Sequence, residues 1–301
     1  MYRYSYLFRS KDRPLIIALS GFRGGLKGVF TKIIKKFPLQ FSNYNILILD
    51  ALTSLPSVQR YRHMSLGGLH DAKVVLASLL QFESLKNYQA KKMVLIAGSL
   101  STFGAFYGSI LLNKKYKNKM GGLLLLGAIN NMSPILSLIE ALDFQRNYVR
   151  AHNYRNVFFR AIQVYFRSYM RDINQLIDYK DNSYFRMLEK SFVKYKTANE
   201  SNYHSITNKF STFNNNSDYY NKISLCSNVE LVDFPLYWIH ASDDPIAKYW
   251  GQYRAFHDCA KANPFILKNG MLRNGGHAGY SLVYGNDWLK DEVNIFLNGV
   301  L

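Results

Sequence analysis

The chain is poor in cysteine and in negative charge. Its 301 residues include two cysteines, Cys226 and Cys259. Their positions give no metal-ligand spacing, and two isolated thiols do not make a disulfide framework. The expectation is free cysteines, a reducing compartment and a cytoplasmic location. Lysine and arginine number 38 against 20 aspartates and glutamates, a formal charge of +18. That excess suits either a basic enzyme surface or a polyanionic partner: an acidic glycan, a nucleic acid or an anionic membrane face. The basic residues are spread along the chain and not massed in one tail. No helix-turn-helix signature, zinc-finger spacing or RNP-type aromatic motif is present, which disfavours nucleic acid. Peripheral membrane contact stays open, and the sequence says nothing about oligomeric state.

No secretory leader is expected from the first residues. Residues 1–9 alternate like a strand and hold no apolar core. Two uncharged runs, 93–113 and 120–139, approach the length of a membrane span. Gly98, Ser99, Ser101 and Gly104 interrupt the first, and Asn130, Asn131 and Pro134 the second. Parallel strands buried on both faces produce the same runs, so a membrane hairpin is the lesser reading.

What is present is an alternation of strand and helix signals. Residues 2–9 read as an edge strand. Leu15 to Leu19, Asn45 to Asp50, 92–97 and 121–127 read as buried strands. Between them lie helical stretches at 26–37, from Gly67-Gly68 to about Tyr88, and from the end of the third buried run to about Asn113. This order argues a parallel sheet with helices on both faces. The alternation then stops. Residues 133–177 are helical in period and rich in Tyr, Phe and Arg; 197–224 are dominated by Asn, Ser and Tyr and read as a loop. Strand signals resume at 234–240 and 264–268, with a helix over 248–262 between them and an amphipathic helix over 287–298 at the end.

Four features fall just after strands: the turn 20–25, Ser99, Asp243-Asp244-Pro245 and His277. Ligands gather at the carboxyl ends of strands in open parallel sheets. Around Ser99 the sequence is Ala97-Gly98-Ser99-Leu100-Ser101, a strand breaking into small residues before a helix. A serine in such an elbow needs small neighbours two before and two after it, because strand and helix nearly touch there. Ser101 and Thr102 stand where glycines commonly occur.

The chain resembles an α/β-hydrolase, whose nucleophile, acid and histidine follow in that order. Here the order is Ser99, Asp244, His277. The Ala241-Ser242-Asp243-Asp244-Pro245 and Gly275-Gly276-His277-Ala278-Gly279 pieces are similar to the YheT-like esterase group. The resemblance implies a mostly parallel α/β-hydrolase-type sheet flanked by helices. It implies a core over 1–130 and 232–301, with a helical cap inserted over 131–231. It also implies an oxyanion hole from the backbone N–H groups of Leu100 and Phe22, and no cofactor or metal. Asp243 is the fallback acid; Asp50 is remote in pattern. His240 reads as a core histidine and His257 as a helix-surface one. Arg23, Arg60, Arg62 and His63 are candidates for binding an anionic substrate, although solvated loop charges read the same way.

The expected function is serine-based acyl transfer, as an esterase or as an O-acyltransferase on a glycan. The alternative is a catalytically inactive relative within a surface-polysaccharide or secretion assembly.

Overall fold

A computed structural model describes residues 4–19, 21, 42–51, 54–61, 68–137, 168, 171–173, 175, 184–244, 246–248, 250–275, 277 and 280–301. The expected helix at 26–37 and most of the helical stretch 133–177 lie outside these residues.

Among the described residues seven strands form one sheet: β1 (Tyr4–Leu7), β2 (Leu15–Leu19), β3 (Asn45–Leu49), β4 (Met93–Gly98), β5 (Met120–Leu126), β6 (Leu236–Ala241) and β7 (Ile266–Leu272), in the order β1-β3-β2-β4-β5-β6-β7. β1 lies antiparallel on the β3 edge. The other neighbouring pairs are all parallel. β2 to β6 are almost wholly apolar because both faces are covered.

Alternate side chains feed two cores. Leu15, Ile17, Leu95, Leu123 and Trp238 pack on one face. Ile16, Ala18, Val94, Ile96 and Leu124 pack on the other, under Leu289, Val293, Phe296 and Leu297 of the closing helix. This is the period-2 geometry of a strand applied to both faces at once.

Among the described residues the helices include α1 (Leu55–Tyr61), α2 (Leu69–Lys86), α3 (Thr102–Tyr116), α4 (Tyr184–Thr207), α5 (Asn216–Lys222), α6 (Ala255–Ala260) and α7 (Tyr280–Val300). Glycines one turn apart let α3 press on α2. A Cβ at Gly104 would stand 2.8 Å from Asp71 Cβ, and one at Gly108 would stand 3.2 Å from Val75. The small residues after Ser99 therefore serve helix packing.

The uncharged runs hold β4, α3 and β5, as the buried-strand reading expects, and among the described residues no helix is long and apolar enough to cross a membrane. Two expectations need correction. The Asn-rich stretch 197–224 holds the end of α4 and all of α5. Asn215 caps α5 by accepting the Asp218 N–H at 2.9 Å, while Phe213 packs edge-on against Tyr219 at 5.0 Å. Polar composition concealed a capped helix and an aromatic cluster. Cys226 and Cys259, expected free, are joined as a disulfide with Cα atoms 5.7 Å apart. The fold brings together two thiols whose separation of 33 residues carries no signal.

Candidate active site

Ser99 begins the single 3₁₀ turn between β4 and α3, Ser99–Ser101. Its φ is +54°, in the left-handed region that L-residues other than glycine seldom occupy. The surroundings hold it there. The Thr102 hydroxyl donates to the Ser99 carbonyl and accepts the Ile129 N–H at 3.4 Å. The elbow is thus tied to the loop after β5. Thr102, which stands in a customary glycine position, contributes a bond where glycine has none.

Gly21 closes in from the end of β2. A Cβ there would lie 2.9 Å from Ser99 Cβ and 3.1 Å from the Gly98 carbonyl oxygen. The backbone of the first turn therefore rests directly on the serine, an approach only glycine permits.

Ser99 Oγ lies 2.6 Å from His277 Nε2, and His277 Nδ1 lies 2.9 Å from Asp244 Oδ2. A carboxylate can only accept, so Nδ1 carries hydrogen. In the neutral ring Nε2 is then left as an acceptor facing the hydroxyl. The Asp244 side chain is fully buried and that of His277 is 14% exposed.

Both Asp244 oxygens are engaged. Oδ1 accepts the Ile246 and Ala247 N–H groups at 2.9 and 2.8 Å while Oδ2 takes His277. Burial pushes the carboxyl up, but the hydrogen bond and charge of His277, the Ala247 N–H and His240 outweigh it. The net pKa falls below the ordinary 3.8. Asp244 stays ionised.

Neighbouring residues bind the acid loop to the histidine loop. Ser242 Oγ donates to the Arg273 carbonyl at 2.8 Å, and the Gly275 N–H donates to Asp243 Oδ2 at 3.3 Å. Gly275, at φ +140°, turns the chain towards His277. Tyr284 Oη accepts the Asn274 N–H at 3.2 Å. Asp243, the fallback acid, is thus placed on the backbone of the histidine loop. Asp50, just past β3, accepts from Ser57 Oγ in the first turn of α1 at 3.2 Å.

Leu100 follows Ser99 in the 3₁₀ turn, with its side chain buried. Phe22, Arg23, Arg62 and His63 lie outside the described residues. Arg60 is exposed in the last turn of α1. His240 is fully buried and stacks on Tyr253 at 5.4 Å; burial holds its imidazole below the usual range, with Asp244 opposing. His257 is half-buried, 3.7 Å from Asp258.

Two features escaped the sequence reading: the Gly21 contact and the Ser242–Asp243 clamp. The glycine after Ser20 was a visible signal for the first. The second had no signal, because a serine and an aspartate in a turn read as turn formers.

The strand order, the sharp turn after β4 and the meeting of the loops after β6 and β7 describe one known architecture. The chain has the α/β-hydrolase fold. An acylaminoacyl peptidase from Pyrococcus horikoshii superposes at TM-score 0.56 and 12% identity, over 98% of this chain and 38% of that one. The chain therefore spans well under half of that peptidase. The Pyrococcus furiosus esterase Pf2001 superposes at TM-score 0.56 and 12% identity, over 99% of this chain and 92% of that one. A lipase-esterase related protein from Clostridium acetobutylicum ATCC 824 gives 0.50 at 13% identity, over 98% and 99%. At these identities the likeness establishes the α/β-hydrolase fold alone. In sequence, no protein-family model and no curated protein gives a significant match.

Proposed function

We propose that the chain is a serine-nucleophile acyl-transfer enzyme that cleaves esters through an acyl-Ser99 intermediate. One observation carries this reading: the hydroxyl, imidazole and carboxylate stand in series at 2.6 and 2.9 Å. The peptidase and the esterase that share its fold are consistent with it.

A serine hydroxyl is a weak nucleophile until a base takes its proton. His277 Nε2 accepts that proton as Ser99 Oγ bonds to the ester carbonyl carbon. Asp244 holds the ring tautomer and stabilises the imidazolium. The Leu100 N–H, with that of Phe22 by resemblance, receives the oxyanion. Collapse breaks the bond to the alkoxy group, and His277 returns the proton to the leaving alcohol. Water then repeats the cycle, releasing a carboxylic acid and restoring Ser99. A sugar hydroxyl in place of water makes the same site an O-acyltransferase.

The inactive alternative requires Ser99 and His277 to stand apart, and a 2.6 Å separation favours the catalytic reading. The test is p-nitrophenyl acetate turnover and fluorophosphonate labelling of wild type and Ser99→Ala, with and without glycan acceptors. Turnover and labelling in wild type alone are expected. Equal labelling of both proteins overturns the proposal. Acyl-glycan product identifies the transferase branch.

A further inference from the structure

At the end of the sheet opposite Ser99, three of the parallel strands, β2, β4 and β5, are preceded by basic segments. Residues 8–14 contribute three basic side chains, 87–92 two and 114–119 four, against a single carboxylate, Asp12. These loops are spatial neighbours. Leu15 N–H donates to the Lys92 carbonyl at 2.9 Å, and Met93 N–H to the Lys119 carbonyl at 2.8 Å. The Asn45 side chain binds the first loop to the base of β3, accepting the Arg9 N–H at 2.8 Å. Lys91 meets Asp12 at 2.7 Å. Lys117 and Asn118 sit at φ +34° and +64°, in backbone conformations that favour glycine. Nearby carboxylates are already engaged: Glu230 pairs with Lys209, and Asp233 accepts from Asn113 at 2.6 Å.

Exposed apolar side chains share this end. Leu7 is 40% exposed, Leu85 59%, Phe210 86% and Phe265 40%. Leu7 pairs with Ile46 at the start of β3, and Phe265 directly precedes β7. Leu85 lies in the last turn of α2. Phe210 follows α4, whose Ile206 carbonyl accepts from Lys114 Nζ at 2.7 Å. Among the lysines a cavity of about 340 Å³ is lined by Lys114, Lys117 and Asn118, with Asp233 on its wall.

We propose that this end of the molecule is a docking face for an anionic lipid bilayer. Lysines near such a surface are drawn to its headgroups, and apolar side chains between them enter the boundary of the acyl region. The interleaving of Leu and Phe with Lys decides for lipid over nucleic acid: two exposed leucines gain nothing from a phosphate backbone. β4, six residues long, separates this face from Ser99 by roughly 20 Å. A docked molecule therefore presents the Ser99 site to the water side.

The test is sedimentation of the full chain with vesicles of two parts phosphatidylcholine to one part phosphatidylserine, against phosphatidylcholine alone. Binding is expected only to the anionic vesicles and falls with salt. Lys115→Gln, Lys117→Gln and Lys119→Gln together weaken it on the order of a hundredfold. Phe210→Ser weakens it several-fold and leaves the salt dependence intact. The pair Lys11→Gln and Lys92→Gln gives a second route should the triple variant fail to fold. Three outcomes overturn the proposal: no vesicle binding, equal binding to both vesicle types, or binding untouched by either lysine set. Tighter binding to a short single-stranded RNA or a DNA duplex than to the vesicles, lost in the same variants, assigns the face to nucleic acid instead and also overturns it.

Discussion

Asp243 and Gly275 are joined by a 3.3 Å hydrogen bond from the glycine N–H to Asp243 Oδ2, one residue before Asp244 takes His277. Successive residues of the acid loop thus meet alternate residues of the histidine loop: Ser242 with Arg273, Asp243 with Gly275, Asp244 with His277. Three hydrogen bonds thus join the loop after β6 to the loop after β7. Asp243→Ala is expected to slow fluorophosphonate labelling of Ser99 by about tenfold, through a looser imidazole. Asp243→Asn keeps an accepting oxygen and stays close to wild type. Comparing the two labelling rates separates a hydrogen-bond role from a charge role. An unchanged rate in the alanine variant removes the clamp.

Gly21→Ala tests the contact over the elbow. Its new Cβ would meet Ser99 Cβ at 2.9 Å and the Gly98 carbonyl oxygen at 3.1 Å. The serine side chain or the turn must move. Displacement of a reacting group by about an ångström costs on the order of a hundredfold in rate. Labelling should fall by that order while the thermal midpoint moves little, because the clash is confined to the turn. Full labelling of Gly21→Ala would show that the turn yields freely.

The lowered carboxyl pKa of Asp244 makes stability depend on pH with a defined sign. A carboxyl held lower in the folded chain than its ordinary 3.8 stabilises the fold above about pH 4 and loses that contribution as pH falls through the folded value. Urea unfolding between about pH 2 and 6 should show this limb in wild type and a flatter one in Asp244→Asn. The same variant should lose labelling by about a thousandfold or more, because the ring loses its tautomer partner.

The disulfide between Cys226 and Cys259 closes a loop of 33 residues. Chain-entropy reasoning assigns such a loop roughly 4 kcal/mol of stabilisation. A reducing agent should lower the thermal midpoint by several degrees, and Cys226→Ser should reproduce that shift without any further effect of reductant. A midpoint unmoved by reductant would show that the bridge adds nothing.

Much of the fold was legible from hydrophobic pattern. The runs at Leu15, Asn45, Met93, Met120 and Leu236 are short, apolar on both faces and separated by helical stretches, so they declare a parallel sheet. The order Ser99, Asp244, His277 was legible too, since each stands just past a strand. Less legible were α4 and α5. Their polar surface hid Tyr203, Phe213, Tyr219 and Tyr220, which are buried together. Composition averages over a helix's two faces, and only packing shows which face is covered.

The sequence by itself determined the strands, their alternation with helices and the residue types available for chemistry. These follow from local rules: period, turn residues and the small neighbours of a serine. Tertiary structure alone decided the 2.6 Å approach of His277 to Ser99, the positive φ held at the serine, the pairing of the cysteines and the gathering of scattered lysines at one end of the sheet. Each of these joins residues far apart along the chain. Their proximity is set by the register of the sheet, which no local pattern encodes.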